Sequence, residues 1–316
     1  MAVESEHHPP SPALHPRPLL VAGPTAVGKS AVAMQLAELL DGEIVSVDSM
    51  QVYLGLDIGT AKPSPADRSR VPHHLVDVVE LTESFNAACF VRLARQAIAE
   101  IQRRGRVPIL CGGTGLYFKA YLEGLGEAPP SDTALRAVLQ ATPLPELLRE
   151  LAVLDPVTYE RIDRHNPRRI IRAIEVIRLT GKPFSAQRAE WQPSTRSAQP
   201  PAYCIGLARS AADLHSRIAA RVDAMFRRGW VAETEQLLKR GLAQNRTAMQ
   251  ALGYRQIVEH LRGERSLPET IELVKLRTRQ FAKRQMTWFR RQLPLSWIPL
   301  ASEDAATAAA RVMKGL

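Results

Sequence analysis

The stretch Leu19–Ser30, which reads LLVAGPTAVGKS, decides the fold of this chain. Its apolar start, Leu19–Gly23, predicts a buried strand, and apolar residues at helical spacing predict a helix from about Ser30 to Leu40. Between them, Gly23–Ser30 matches the pattern G-x-x-x-x-G-K-[ST] in full. A strand, a glycine-bracketed loop and a helix in this order are typical of a phosphate-binding P-loop.

The eight loop residues have the chemistry that a phosphate group needs. Glycines let backbone N–H groups converge on phosphate oxygens, and the helix N-terminus adds positive potential. Lys29 supplies a charge, and the hydroxyl of Ser30 can bind Mg²⁺. The predicted phosphate-binding residues are Gly23, Pro24, Thr25, Ala26, Val27, Gly28, Lys29 and Ser30. The loop alone does not separate a nucleoside triphosphate, its default ligand, from another diphosphate.

Strands and helices alternate outward from this loop. A long amphipathic helix is predicted over Phe85–Arg104, ended by Gly105. The further predicted strands are Glu43–Asp48, Leu75–Val79, Val107–Gly113, Ala202–Ala208 and Trp297–Leu300. This alternation predicts an α/β fold, a P-loop NTPase-like core whose parallel sheet is flanked by helices.

The segment from about Gly124 to Pro201 interrupts this pattern, because it contains no convincing strand. Its predicted helices are Leu135–Gln140, Leu144–Ala152 and Pro167–Thr180, and Trp191–Pro201 is predicted to be a loop. We therefore expect a disordered tail over residues 1–18, an α/β core formed by 19–123 and 202–316, and an all-helical insertion over 124–201.

The composition of the 316 residues is typical of a cytoplasmic protein. No apolar run approaches the roughly 20 residues that span a bilayer, and the first 18 residues lack the apolar core of a signal peptide. Cys89, Cys111 and Cys204 are far apart and show no metal spacing, which predicts reduced thiols. The histidine pairs His7–His8 and His73–His74 are predicted to lie in the tail and beside a strand, rather than to bind metal.

The formal charge of +10 is unevenly distributed. Between Leu273 and Ser302 there is no acidic residue, yet seven basic residues fall there: Lys275, Arg277, Arg279, Lys283, Arg284, Arg290 and Arg291. A stripe of one sign attracts a polyanion such as nucleic acid. The alternative is a solvated helix face, although such faces usually mix signs.

Three polar residues are expected beside the P-loop, at the carboxyl edge of the sheet where ligands of open α/β folds bind. Asp48 ends the second predicted strand, and Thr114 follows the Gly-Gly pair after a later strand. Arg221 lies two turns into the helix after Ala202–Ala208, on the same side as Arg217. Each has a plainer alternative: a helix cap, a turn residue and a surface arginine, respectively.

Six motifs, in order along the chain, together resemble those of the tRNA dimethylallyltransferases, the IPP transferase family. They are Gly23–Ser30, Asp48–Tyr53, Asp57–Pro63, Gly112–Tyr117, Gly253–Gln256 and Ala282–Phe289. The resemblance extends from residue 19 to about residue 300. It implies a bacterial member, because the zinc-finger extension of the eukaryotic relatives is missing.

The resemblance implies transfer of a dimethylallyl group from dimethylallyl diphosphate to the exocyclic amine of an adenosine just 3′ of the anticodon in tRNA. It makes Asp48 the general base, and Lys29, Ser30, Thr114 and Arg221 the set that stabilises the diphosphate, with Mg²⁺ bound through Ser30. The partners would be the tRNA anticodon stem-loop and dimethylallyl diphosphate, with the protein a monomer.

RNA contacts are also implied by the resemblance, and the helical insertion is expected to carry several of them. The implied residues are Asp48, Ser49, Met50, Gln51, Thr114, Arg136, Arg168, Arg169, Ile170, Ile171, Arg172, Ala251, Leu252, Gly253, Tyr254, Arg255, Gln256, Lys283 and Arg284. The basic stretches Arg161–Arg172 and Lys275–Arg291 are predicted to hold the RNA backbone.

Three other functions fit parts of the same pattern. An isopentenyltransferase acting on free AMP would share the chemistry, but it would need neither the insertion nor the basic stretch. A P-loop kinase would use ATP, and Arg161–Arg172 would then imitate its arginine lid. A nucleotide-gated RNA-binding protein would leave Asp48 and Thr114 without a catalytic task.

Overall fold

A computed structural model describes residues 16–125, 128–187, 202–301 and 305–314. Most of the predicted tail and the whole of the predicted loop Trp191–Pro201 lie outside these residues. The end of the predicted tail is described and is bonded to the core. The carbonyl of Pro16 accepts a hydrogen bond from Gln102 at 2.8 Å, and that of Pro18 accepts one from the Tyr203 amide at 3.0 Å.

The described residues contain one parallel sheet of six strands. They are β1 (Leu19–Ala22), β2 (Gly42–Val47), β3 (His73–His74), β4 (Val107–Gly112), β5 (Tyr203–Ala208) and β6 (Ser296–Pro299). Their order across the sheet is β3-β2-β4-β1-β5-β6, and every neighbouring pair is parallel. The predicted α/β fold with a parallel sheet is therefore confirmed.

The helices flank this sheet or form the insertion. They are α1 (Lys29–Leu40), α2 (Pro65–Arg70), α3 (Ala87–Arg103), α4 (Gly115–Glu123), α5 (Thr133–Ala141), α6 (Leu144–Leu154), α7 (Pro156–Arg161), α8 (Pro167–Thr180), α9 (Phe184–Gln187), α10 (Ala211–Arg227), α11 (Trp230–Lys239), α12 (Tyr254–Leu261), α13 (Leu267–Gln292) and α14 (Ala305–Met313). No helix among the described residues is long and apolar enough to cross a membrane.

The central position of β1 explains where a ligand can bind. Leu19 lies opposite Ile109 of β4 on one side and opposite Tyr203 of β5 on the other. All residues of β1 and β2 are buried, as expected for strands covered by helices on both faces. Because the strands are parallel, the loops that follow β1, β2, β4 and β5 all leave from the same edge of the sheet.

The predicted strand Leu75–Val79 is wrong. The third strand is instead the two-residue β3, so the histidine pair predicted to flank a strand forms it. Leu75 and Asp77 have φ angles of 61° and 56°, which an extended strand does not allow. Hydrogen bonds from Lys62 and Arg68 hold the Asp77 carboxylate in this bent segment.

The chain separates into two compact units, residues 1–122 with 198–316 and residues 123–197. Within the second unit, apolar residues of α5, α6 and α8 form a small core, including Leu139, Leu151 and Ile174. α8 begins where Asn166 caps it and Pro167 takes the first position, and it ends at Gly181 with a φ of 69°. The predicted helix Pro167–Thr180 has these same bounds.

Candidate active site

The P-loop closes on itself through its lysine. Lys29 donates a hydrogen bond of 2.7 Å from Nζ to the carbonyl of Pro24, at the start of the loop. Ala26 is held at a φ of 64°, a left-handed conformation that is uncommon outside glycine. The loop is therefore a preformed turn, with α1 starting directly behind it at Lys29.

The ends of β2 and β4 are tied together at the same edge. Asp48, directly after β2, accepts hydrogen bonds on Oδ1 from the amides of Met50 (2.8 Å) and Gln51 (3.3 Å). Thr114, two residues after β4, accepts one on Oγ1 from the amide of Ser49 at 3.1 Å. Asp48 thus caps a turn and not a helix. Among the described residues, its second carboxylate oxygen and the Thr114 hydroxyl proton have no hydrogen-bond partner.

A cavity of about 340 Å³ lies between the P-loop and α10. The loop contributes Lys29 and Ser30 to its walls, and α10 contributes Arg217 and Arg221. Electrostatic interactions connect Asp48 with both Lys29 and Arg221. The structure therefore brings together Lys29, Ser30, Arg221 and the Asp48 loop, as the sequence predicts.

Two cations of this cavity have lowered pKa values. Burial lowers the pKa of Lys29 to about 8; the charge of Arg221 lowers it too, while Cys111 and Asp48 act in the opposite direction. Burial also lowers the pKa of Arg221; the charge of Asp48 opposes this effect, and that of Arg217 adds to it. Desolvation and like charges both disfavour the charged forms, so an anion in this cavity would stabilise them.

The chain offers few ligands of its own for a metal ion. Among the described residues there is no group of three or more His, Cys, Asp or Glu side chains that could hold one. Ser30 is exposed and follows the P-loop lysine. This donor set fits Mg²⁺ bound mainly by phosphate oxygens and water, with one serine hydroxyl from the protein.

Two arginines that support the P-loop were not identified from the sequence. Arg217 donates from Nε to the carbonyl of Ala26 at 2.9 Å, and Arg209 donates from Nε to that of Val27 at 2.8 Å. Arg209 also bonds Asp213 at 2.8 Å. These bonds join positions 191 and 182 residues apart, and the only sequence signal was that Arg217 shares a helix face with Arg221.

Gln285 of α13 is a third residue that sequence reasoning missed. Its Oε1 accepts a hydrogen bond from the P-loop amide of Thr25, and its Nε2 donates to the carbonyl of Gly113, both at 2.9 Å. A side-chain carbon at position 113 would lie 2.5 Å from that Nε2 and would displace the Gln285 amide. One buried amide therefore sets the distance between the P-loop and the loop that carries Thr114.

Residues after Asp48 are partly occupied by contacts within the protein. The Gln51 side chain accepts a hydrogen bond from Ser46 at 2.8 Å and donates one to the Thr60 carbonyl at 3.1 Å. Ser49 and Met50 are partly buried. Ser49 and Met50 are therefore better placed than Gln51 for contact with a ligand.

The segment Ala251–Gln256 packs on α11. The carboxylate of Glu233 accepts hydrogen bonds from the Tyr254 hydroxyl at 2.7 Å and from the Ile58 amide at 2.8 Å. Gly253 lies so close to the ring of Trp230 that a side-chain carbon there would overlap it. Arg255 is exposed, Leu252 and Gln256 are partly buried, and Ala251, Gly253 and Tyr254 are buried. The segment is thus mainly a packing element, with Arg255 at its surface.

The basic stretch of α13 lines a groove of about 520 Å³. Its walls include Lys283, Arg284, Trp288 and Arg291. Lys275, at the other end of the stretch, is instead neutralised by Asp223 at 2.8 Å and Glu272 at 2.9 Å. Lys283 and Arg284, but not Lys275, are therefore placed as a cationic surface.

The predicted RNA-contact residues of the helical unit form two groups, one ion-paired or buried and one exposed. Arg136 and Arg172 both bind the fully buried Glu175, at 2.7 and 2.8 Å. Burial raises the pKa of Glu175, but hydrogen bonds from Arg172, Arg136 and Ser131 outweigh it and leave the pKa below its ordinary value. Ile170 is fully buried, Ile171 is partly buried, and Arg168 and Arg169 are exposed.

Known proteins are similar to this chain over most of its length. The model of a family described as IPP transferase matches residues 51–292. A tRNA dimethylallyltransferase 1 of Trichlorobacter lovleyi is 46% identical over 296 residues, which cover 92% of this chain and 96% of the relative. A tRNA dimethylallyltransferase of Geobacter metallireducens is 47% identical over 288 residues, covering 89% and 92%.

Solved structures show the same architecture over most of the chain. A full-length tRNA isopentenylpyrophosphate transferase of Bacillus halodurans is 36% identical with a TM-score of 0.69, and 95% of each chain is covered. A eukaryotic dimethylallyltransferase, seen in crystallographic snapshots acting on tRNA, is 26% identical with a TM-score of 0.77. That match covers 95% of this chain and 79% of the eukaryotic one.

Proposed function

The chain belongs to the IPP transferase family, and on this premise we propose that it transfers a dimethylallyl group from dimethylallyl diphosphate to tRNA. The acceptor is the N6 amine of the adenosine 3′-adjacent to the anticodon, and the product is N6-isopentenyladenosine. The observation that carries the proposal is the cavity lined by Lys29 of the P-loop and Arg221 of α10. Both residues interact electrostatically with the Asp48 carboxylate. The cavity combines a site for a leaving diphosphate with a site for a proton.

The diphosphate is the group that this cavity binds. Loop amides, Lys29 and Arg221 lie around it, and they stabilise negative charge that grows as the allylic carbon–oxygen bond breaks. The hydroxyl of Thr114, held by the Ser49 amide, donates a hydrogen bond to the bridging oxygen. When bound, Mg²⁺ would be held by Ser30 and would neutralise further charge on the diphosphate.

The acceptor amine needs a base, because its lone pair is delocalised into the adenine ring and it becomes acidic as it bonds to carbon. The carboxylate of Asp48 takes the N6 proton while the new nitrogen–carbon bond forms. The electron pair of the broken bond leaves with the diphosphate. The amides of Met50 and Gln51 keep the Asp48 side chain oriented throughout.

The acceptor base has to leave its stack to reach such a site, and single-stranded loop RNA makes that step cheap. Lys283 and Arg284 in the α13 groove, Arg255 beside α11, and Arg168 and Arg169 in the helical unit are the exposed cations proposed to hold the RNA backbone. Arg136, Arg172, Ile170 and Tyr254 then support the structure rather than contact RNA. A monomeric state and a cytoplasmic location remain predictions.

The test uses dimethylallyl diphosphate labelled in its hydrocarbon part. We expect label on a tRNA that has an unmodified adenosine 3′-adjacent to its anticodon, and none on a tRNA with guanosine at that position. Label on AMP instead would favour the free-nucleotide enzyme. Turnover of ATP without any label transfer would favour the kinase or the gated RNA-binding protein and contradict the proposal.

A further inference from the structure

We propose that Arg217 is a second arginine of the diphosphate site, binding the leaving group directly through its terminal guanidinium nitrogens. This inference rests on the function proposed above and adds a ligand to the same cavity. It would give the leaving group two arginines one helical turn apart on α10, in addition to Lys29.

The first argument is position. Arg217 lines the cavity between the P-loop and α10 together with Arg221. The Nη2 atoms of Arg217 and Arg209 both lie 3.9 Å from the place that a side-chain carbon on Gly28 would occupy, but Arg217, unlike Arg209, lines the cavity. Within the described residues, the Nε of Arg217 donates the 2.9 Å bond to the Ala26 carbonyl, and its two terminal nitrogens bond no acceptor. A guanidinium has five N–H groups, so those of both terminal nitrogens remain for a ligand.

The second argument is charge. Within the described part of the chain, neither Arg217 nor Arg221 lies within ion-pair distance of a carboxylate. Burial lowers the pKa of Arg221, the charge of Asp48 opposes this, and the charge of Arg217 adds to the lowering, so the two arginines repel each other. Arg217 is exposed and Arg221 is partly buried, and an anion with several negative charges that sits between them removes their repulsion.

The third argument is rigidity. The bond to Ala26 fixes the plane of the Arg217 guanidinium before any ligand arrives. Donors that are already oriented stabilise developing negative charge without having to reorganise during the reaction. Planar arginine groups also bind phosphate oxygens in pairs, which a lysine cannot do. Arg217 is therefore suited to the charge that appears on the diphosphate during transfer.

The competing explanation is that Arg217 only supports the loop, and Arg209 provides a matched control for it. Arg209 donates from Nε to the next carbonyl, that of Val27, at almost the same distance of 2.8 Å. However, Arg209 is neutralised by Asp213 at 2.8 Å and also donates to the Ala301 carbonyl. Both arginines support the loop, but only Arg217 offers charge to the cavity.

The experiment compares Arg217→Ala, Arg217→Lys and Arg209→Ala with the wild-type protein. Binding of inorganic diphosphate is measured by calorimetry with and without Mg²⁺, and transfer to tRNA gives kcat and KM for dimethylallyl diphosphate. We expect Arg217→Ala to weaken diphosphate binding by about 10- to 100-fold and to lower kcat, the range for a lost charged hydrogen bond. Arg217→Lys should recover part of the binding but not kcat, and Arg209→Ala should weaken binding several-fold less than Arg217→Ala.

Equal losses of diphosphate binding in Arg217→Ala and Arg209→Ala would overturn the inference and leave Arg217 as a loop support. If Arg217→Ala does not fold, the comparison of Arg217→Lys with Arg209→Lys, read in the same two assays, replaces it. Failure of the proposed function would show differently, because the wild-type protein would then transfer no label to tRNA. Failure of this inference alone leaves wild-type transfer intact.

Discussion

Arginines in the two compact units have opposite kinds of partners. In the core unit, Arg217 and Arg221 line the P-loop cavity and lie within ion-pair distance of no carboxylate that the structure describes. In the helical unit, Arg136 and Arg172 both bind Glu175, which is fully buried. The same residue type therefore has two functions that the sequence pattern alone does not separate.

This difference indicates which cations are placed to bind a ligand. A buried charge is costly unless it is paired, and the pair around Glu175 satisfies itself inside the folded unit. Among the described residues, Lys29 has no carboxylate within ion-pair distance, and burial lowers its pKa to about 8. We infer that substitutions in the cavity affect activity more than stability, and that substitutions around Glu175 do the reverse.

The largest expected effect concerns the base beside the cavity. Asp48→Asn should lower the rate of dimethylallyl transfer by about 10²- to 10⁴-fold, because an amide cannot accept the N6 proton. It should leave thermal unfolding and tRNA binding close to wild type, since the amide oxygen can still accept the Met50 bond. Single-turnover transfer of label gives the rate. Asp223→Asn is the control, because Asp223 on α10 forms an ion pair with Lys275 on α13. A parallel loss of tRNA binding would instead make Asp48 a positioning residue.

The next effect is on stability and belongs to the other unit. Glu175→Ala leaves Arg136 and Arg172 without their shared counter-charge, and should destabilise the helical unit by about 3–5 kcal/mol. Glu150→Ala removes a more exposed ion pair, that with Arg178, and should cost at most about 1 kcal/mol. Amide hydrogen exchange in α8 measures both. Binding of inorganic diphosphate should stay unchanged in both variants, and a change there would break the comparison between the units.

A smaller effect is expected at Gln285, which joins two parts of the cavity wall. Gln285→Ala removes two hydrogen bonds worth about 1 kcal/mol each, and should lower kcat/KM for dimethylallyl diphosphate by about tenfold. Gln96→Ala, which removes a surface contact on α3, serves as the control. Steady-state kinetics with varied donor concentration gives the ratio. If both variants behave alike, the distance between the Thr25 and Gly113 segments does not limit the reaction.

The smallest effect tests the same comparison within one helix. Arg284 lines the α13 groove, whereas Lys275 is neutralised by Asp223 and Glu272. Arg284→Ala should weaken tRNA binding and reduce the slope of log K against log salt by about 1, as one lost phosphate contact does. Lys275→Ala should leave that slope unchanged. Titrations at several salt concentrations give both slopes, and equal slopes would remove the groove from the RNA-binding surface.

Local patterns predicted the parts of the fold that depend on neighbours in the chain. The P-loop, with β1 before it and α1 after it, was predictable because its glycines, lysine and apolar residues are contiguous. The bounds of α8 followed from Pro167 and Gly181. The predicted strand Leu75–Val79 was wrong because its bend depends on Lys62 and Arg68, which no alternation of apolar residues reveals.

Residues that act across long distances in the sequence were not predictable. Gln285 binds a P-loop amide 260 residues away, and Arg217 binds the Ala26 carbonyl 191 residues away. The resemblance assigned RNA contacts by motif, but Ile170 and Tyr254 have fully buried side chains. Burial and pairing are properties of the packed chain, so the sequence identified the segments of the site and not the direction of each side chain.

The helix α13 has a mechanical consequence for the order of events. Lys283 and Arg284 face the groove proposed for RNA, and the next residue, Gln285, holds the P-loop at Thr25. A single turn of one 26-residue helix thus contacts the surfaces for both substrates. A displacement of that turn by a bound RNA would therefore move Gln285 and, through its hydrogen bond to Thr25, the P-loop. Binding of RNA in the groove can thereby change the position of the diphosphate-binding loop through one continuous helix.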